Sequence, residues 1–270
     1  MTNRTEDMPR RTQPSGGPRS ATPRSSGQWS IRTASLTAGA ALLLMSVVAI
    51  FGNVIVVDGM ITQGDAARTA TDIDASQGLF RLGIGSLILV VVLDVVVAWA
   101  LYRVFSPVSA SLSMLAAALR LVYSGVFMVA IAQLVGVARL LSDDDMRAAL
   151  GTEHVDAHAM LGVAAFNDIW YVGQALFGAH LLLIGYLAHR SGYIPRVLGA
   201  LLVLAGAGYA IDSLGAVLSQ STWTDVSSYT FMGEFLLALW LVLRASRIAT
   251  SASALEAGPS GSAMAAGITS

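Results

Sequence analysis

Residues Phe177 to Asp212 read FGAHLLLIGYLAHRSGYIPRVLGALLVLAGAGYAID. Two long apolar runs are joined by a short basic turn, and each run carries an ionisable residue, His180 in one and Asp212 in the other. Runs of about 20 apolar residues match a hydrocarbon core about 30 Å thick, because each helical residue advances about 1.5 Å. The stretch therefore marks a polytopic membrane protein. It also directs attention to the buried charges, because an ionisable side chain is costly in lipid and is a functional candidate by default.

The rest of the chain repeats the pattern. Hydrophobic residues make up 55% of 270 and charged residues 12%, about half the charged share of an ordinary soluble domain. Candidate spans cover residues 34–57, 82–102, 112–135, 166–188, 194–218 and 226–243. None alternates apolar and polar residues as a transmembrane β-barrel strand does. The expected fold is all-α, a bundle of six transmembrane helices over residues 34–245. Residues 1–33, rich in Pro, Ser, Thr, Gly and Arg, read as a disordered tail rather than a signal peptide. Residues 246–270, rich in Ala, Ser and Gly, read as a second disordered tail. The absence of cysteine excludes disulfides and thiolate chemistry.

Arginine placement sets the expected orientation. Arg4, Arg10, Arg11, Arg19, Arg24, Arg32, Arg103, Arg190, Arg196, Arg244 and Arg247 fall on one side, while Arg68, Arg81, Arg139 and Arg147 fall on the other, in loops that are otherwise acidic. Both termini are expected in the cytoplasm, which needs an even number of spans, and the chain is expected in an inner (plasma) membrane. Trp99, Tyr102, Tyr186, Tyr193 and Trp240 sit near the expected inner boundaries, and Trp170, Tyr171 and Trp223 near the outer ones, as an interfacial belt. Ser106-Pro107 and Pro195 resemble helix starts. Short connections place spans two and three, four and five, and five and six side by side as antiparallel neighbours. The small residues of the fifth span, Gly199 and Ala205 to Gly208 among them, favour close packing and a central position for that helix.

Five ionisable residues lie inside spans: Asp94, Arg120, His180, Asp212 and Glu234. Asp94 is eight residues from Tyr102, Arg120 eight from Leu112 and His180 eight from Ala188, the expected inner ends. All three then lie about 12 Å above the inner boundary. The expected arrangement is a polar cluster in which Asp94 pairs with Arg120 and His180 lies nearby. One reading is a structural ion pair that fixes helix order. The other is a proton relay through the imidazole or an anion site on the arginine. Asp212 and Glu234, with Asn167 and Asp168, could line an outward-facing acidic vestibule, or a solvated rim without a ligand.

His154 and His158, in the segment EHVDAH, share a helix face one turn apart if that loop is helical. They are weak metal candidates that need a third ligand, and two solvated loop histidines are the commoner case. There is no GxxxxGK[ST] phosphate loop and no GxSxG nucleophile elbow, and no cofactor is indicated. The tail arginines could touch anionic lipid headgroups; their spacing among prolines does not suggest nucleic-acid binding. Besides the bilayer no partner is indicated, and the oligomeric state is not encoded in any visible pattern.

Two blocks carry a family resemblance: LDVVVAWALYRVFSPVSASLSMLAAALRLV, residues 93–122, and LFGAHLLLIGYLAHRSGYIPRVLGALLVLAGAGYAIDSL, residues 176–214. The chain resembles the DUF4386 family of bacterial multispanning membrane proteins of unknown function over most of residues 34–245. His180, Gly185-Tyr186, Arg190-Ser191-Gly192, Ile194-Pro195-Arg196, Leu198-Gly199, Gly206 and Tyr209 match its pattern, and Arg120 matches its third-span arginine. Many members place a glutamate three residues after that arginine, where this chain has Tyr123; a partner for Arg120 must then come from elsewhere, and Asp94 is the candidate. The resemblance implies the membrane fold and no activity, substrate or cofactor. Three functional classes follow: a structural, interaction or sensor-like membrane component; a small proton-coupled transporter using Asp94, Arg120, His180 and Asp212; and an intramembrane enzyme built on Asp212, Glu234 and a histidine.

Overall fold

The computed structural model describes residues 30–218, 226 and 232–257. Helix α1 runs Ile31–Met60, with a π-helical stretch at Ile50–Val57. A short amphipathic helix, α2 (Ala66–Ala75), precedes α3 (Gln77–Phe105) and α4 (Ala110–Leu141). Helix α5 (Asp144–Leu150) leads into the 40-residue α6 (Thr152–Ser191), followed by α7 (Arg196–Leu218), α8 (Met232–Leu243) and α9 (Ala245–Ala257). There is no strand among the described residues.

Five of these helices are long and apolar enough to cross a membrane, and the count rises to six if the bent pair α8–α9 is one span. They form a ring. Helix α1 packs on α3, α3 on α4, α4 on α6, α6 on α7, α7 on α8, and α8 back on α1. Each helix turns a stripe inward at three- and four-residue spacing. In α4 the stripe is Ala116, Arg120, Tyr123, Phe127, Ala130 and Leu134. The opposite faces are apolar too: Val122 and Val129 on α4, and Val92 and Val95 on α3, are more than half or about half exposed. A continuous apolar exterior suits lipid and not water.

The contact between α6 and α7 depends on missing side chains. A methyl group at Gly178 would lie 2.6 Å from the Gly206 carbonyl oxygen, and one at Gly206 would lie 2.7 Å from that of Gly178. Bare backbones approach here because no Cβ stands between them. Gly178→Ala should force the helices apart and cost about 1–3 kcal/mol. Gly125→Ala meets open space and should leave thermal unfolding in detergent unchanged, which makes it the matched control.

The turn between these helices is held from several sides. Gly192 ends α6 with φ +73°, a left-handed geometry that glycine adopts without strain. The Ser191 hydroxyl donates to the Ala188 carbonyl and accepts the Ile194 N–H. The Tyr193 hydroxyl donates to the Val104 carbonyl at 2.6 Å, tying the turn to the end of α3.

Several expectations are corrected. The fifth span is not central: Val197, Leu204, Leu214 and Val217 of α7 face outward, and its Gly199 and Gly206 serve the contact with α6. Ser106 caps the end of α3, and the N-cap of α4 is Ser109, whose side chain accepts the Leu112 N–H. Pro195 does stand at a helix start, its carbonyl accepting from Leu198 and Gly199. The two long connections are largely helical: α6 begins at Thr152, 14 residues before the expected span, and α2, with Thr69, Ala70 and Ile73 buried, lies against it. The expected tail from residue 246 is helical through Ala257; α9 turns 81° from α8 and packs on α1, with Ile248 and Ala252 buried. The 12 described residues of α8 span about 18 Å. The rest of the proposed N-terminal tail, residues 1–29, the end of the C-terminal one, residues 258–270, and Trp223 lie outside the described residues.

Candidate functional site

Arg120 lies at the middle of the ring and is fully buried. Its guanidinium has five N–H donors in a rigid plane, and each is directed at a protein acceptor. Nε and Nη2 both donate to Asp94 Oδ1 on α3, at 2.8 and 2.7 Å. Nη1 donates to Glu234 Oε1 on α8 at 2.8 Å and to His180 Nε2 on α6 at 3.2 Å. The remaining Nη2 donor faces Met45 Sδ on α1 at 3.8 Å. The guanidinium carbon also sits 5.2 Å from the centre of the Phe177 ring, in reach of a cation–π contact. One side chain on α4 thus engages α1, α3, α6 and α8.

The histidine's protonation state follows from its partners. Nδ1 is 2.8 Å from the Ala116 carbonyl, which can only accept, and Nε2 faces a guanidinium, which can only donate. His180 is therefore the neutral tautomer with its proton on Nδ1. A proton on Nε2 would end the bond to Arg120 and set two positive groups against each other.

The expected cluster of Asp94, Arg120 and His180 is present, and Asp94 supplies the partner that Tyr123 cannot. Glu234 is a correction. It does not belong with Asp168 and Asp212 but completes the inner cluster. It lies nine residues from Leu243, the C-terminal end of α8, or about 14 Å along the helix, level with Arg120. Asp212 is fully buried, and its carboxylate accepts the Val226 N–H at 2.8 Å, so it fastens a chain segment. Asp168 is exposed on α6. The three carboxylates have three different surroundings and form no shared vestibule.

His154 and His158 lie exposed on the extension of α6, with His158 Nδ1 2.7 Å from the His154 carbonyl. Among the described residues no group of three histidine or carboxylate side chains could hold a metal.

A cavity of about 520 Å³ adjoins the cluster, within the size range of small-molecule sites. Asp94, Arg120 and Glu234 form its polar end. Tyr123, Phe127, Trp170, Phe177 and Tyr209 give it an aromatic wall. The rings are mutually packed: Tyr123 lies 4.9 Å from Phe177, Tyr209 meets Phe177 edge-on at 5.1 Å, and the Trp170 indole donates to the Tyr123 hydroxyl at 3.1 Å. Asn53, in the π-helical stretch of α1, also lines it. Sequence reading missed this wall, because aromatic residues in apolar spans look like ordinary packing.

The fold and site define a polytopic α-helical membrane protein built around a buried, multiply paired arginine. The chain belongs to the family described as "Domain of unknown function (DUF4386)", which it matches over residues 37–245. An uncharacterized protein of Archaeoglobus fulgidus is 34% identical over 160 residues, covering 59% of this chain and 82% of the relative. No solved structure matches the chain.

Proposed function

We propose that the protein is a structural and interaction component of a bacterial plasma membrane, with both termini cytoplasmic, in which the buried charges hold the helices in order rather than move protons. The arginine distribution supports the location and orientation. The observation that carries the structural role is the saturation of Arg120: all five of its donors are engaged by side chains of four other helices. A guanidinium so occupied has no donor left for a substrate anion. A proton-coupled transporter through Asp94, Arg120, His180 and Asp212 fits less well, because Asp212 is tied to Val226 and His180 is held in one tautomer.

Reconstituted liposomes loaded with a pH-sensitive dye test this reading. Under an imposed membrane potential the protein should give proton flux no greater than empty liposomes. Flux above that background that disappears in His180→Asn would overturn it.

A further inference from the structure

We propose that the cavity beside Arg120 is a binding site for a lipophilic organic cation that reaches it from the bilayer. Three observations combine. First, the cluster is unbalanced: two carboxylates, Asp94 and Glu234, face one guanidinium, and His180 is neutral, so one negative charge remains when both acids are ionised. Glu234 lines the cavity and its side chain keeps 19% exposure, whereas Asp94 keeps 2%.

Second, the polar atoms offered to a guest are acceptors. The Arg120 donors are spent on the protein. Asn53 Oδ1 is buried with no hydrogen-bond partner among the described residues. An orphan acceptor of this kind calls for a donor or a positive charge. An anion would find no free donor on Arg120 and an unfavourable field beside the excess carboxylate.

Third, the remaining wall suits a large and weakly hydrated ion. Tyr123, Phe127, Trp170, Phe177 and Tyr209 line it, and an aromatic face attracts positive charge through its quadrupole. A small, strongly hydrated cation would lose too much solvation in such a lining. Val47, Ile50 and Val54 of α1 and Met232 and Phe235 of α8 also line the cavity and are exposed on the lipid-facing exterior. The cavity thus reaches the apolar surface between α1 and α8.

The probe is tetraphenylphosphonium, with tetraphenylborate as its anion of matched shape. Equilibrium dialysis would use the full chain in phosphatidylcholine nanodiscs, with empty discs subtracted. The cation should bind saturably at one site, and the borate should show only the unsaturable partition of empty discs. Glu234→Gln keeps an acceptor for Arg120 while removing the excess charge; it should weaken cation binding about tenfold, the effect of roughly one well-placed charge, at an unchanged melting temperature. Equal saturable binding of both ions would reduce the site to an apolar void and overturn the proposal, as would the lack of saturable cation binding. Undiminished affinity in a folded Glu234→Gln variant would also overturn it. The cation–anion contrast is read on the unaltered chain, so it holds whatever the variant's folding yield. The structural role of the cluster is tested by melting temperature, so the two readings fail separately.

Discussion

Arg120→Met is expected to lower stability more than any other single substitution in the cluster, by about 3–5 kcal/mol. The apolar side chain fills much of the same volume, so the loss is not one of packing. It comes from what stays behind. Asp94 Oδ1 loses two N–H donors, Glu234 Oε1 loses one, and His180 Nε2 loses its partner. Two carboxylates then face each other in a largely apolar lining, without the cation that balanced them. The cost is desolvation without compensation, which is severe when one member of a buried network is removed. Thermal unfolding of the purified protein in detergent should show a large drop, with lower membrane yield.

The second large effect is an asymmetry between the two acids. Asp94→Leu should cost about 3 kcal/mol, while Glu234→Leu should cost about 1–2 kcal/mol. Asp94 is 2% exposed and accepts both Nε and Nη2, so its removal leaves two donors of a buried cation unpaired. Glu234 accepts one and keeps 19% exposure towards the cavity, where water can enter. Its loss also leaves a balanced pair of Asp94 and Arg120. Parallel melting curves of the two variants measure the difference. Equal losses would mean that burial and bond number do not set the energetics here.

The membrane class, the helical fold and the levels of Asp94, Arg120 and His180 were legible in the sequence for one physical reason. Helical rise is constant, so counting from a span's inner end gives depth. The same rule would have found Glu234 from Leu243. Counting from residue 226 instead grouped it with the outer carboxylates, because a depth near mid-span does not say which neighbours the side chain meets. The pairing of spans two with three, four with five and five with six followed from short connections, but the contact of α4 with α6 and closure of the ring by α1 against α8 are contacts that no local pattern encodes. The small residues of α7 correctly signalled close approach. They did not signal centrality, because a glycine face needs one partner, here α6 through Gly178 and Gly185, and leaves the opposite face to lipid. Polar loop composition concealed α2, α5 and the long extension of α6, whose helicity is fixed by caps such as Asp65 and Asp143 and by mutual packing outside the apolar spans. The cavity was hidden because its wall is assembled from six helices.

The central claim is that the buried cluster holds the ring together. The direct measurement is the melting temperature of the triple variant Asp94→Leu, Arg120→Met, Glu234→Leu beside that of Arg120→Met alone. Replacing every charge by an apolar group removes the desolvation cost along with the attraction, leaving His180 Nε2 as the one acceptor of the cluster without its donor. The triple variant should therefore recover most of what the single one loses. A triple variant no more stable than Arg120→Met, or an Arg120→Met variant that melts with the parent, would contradict the claim.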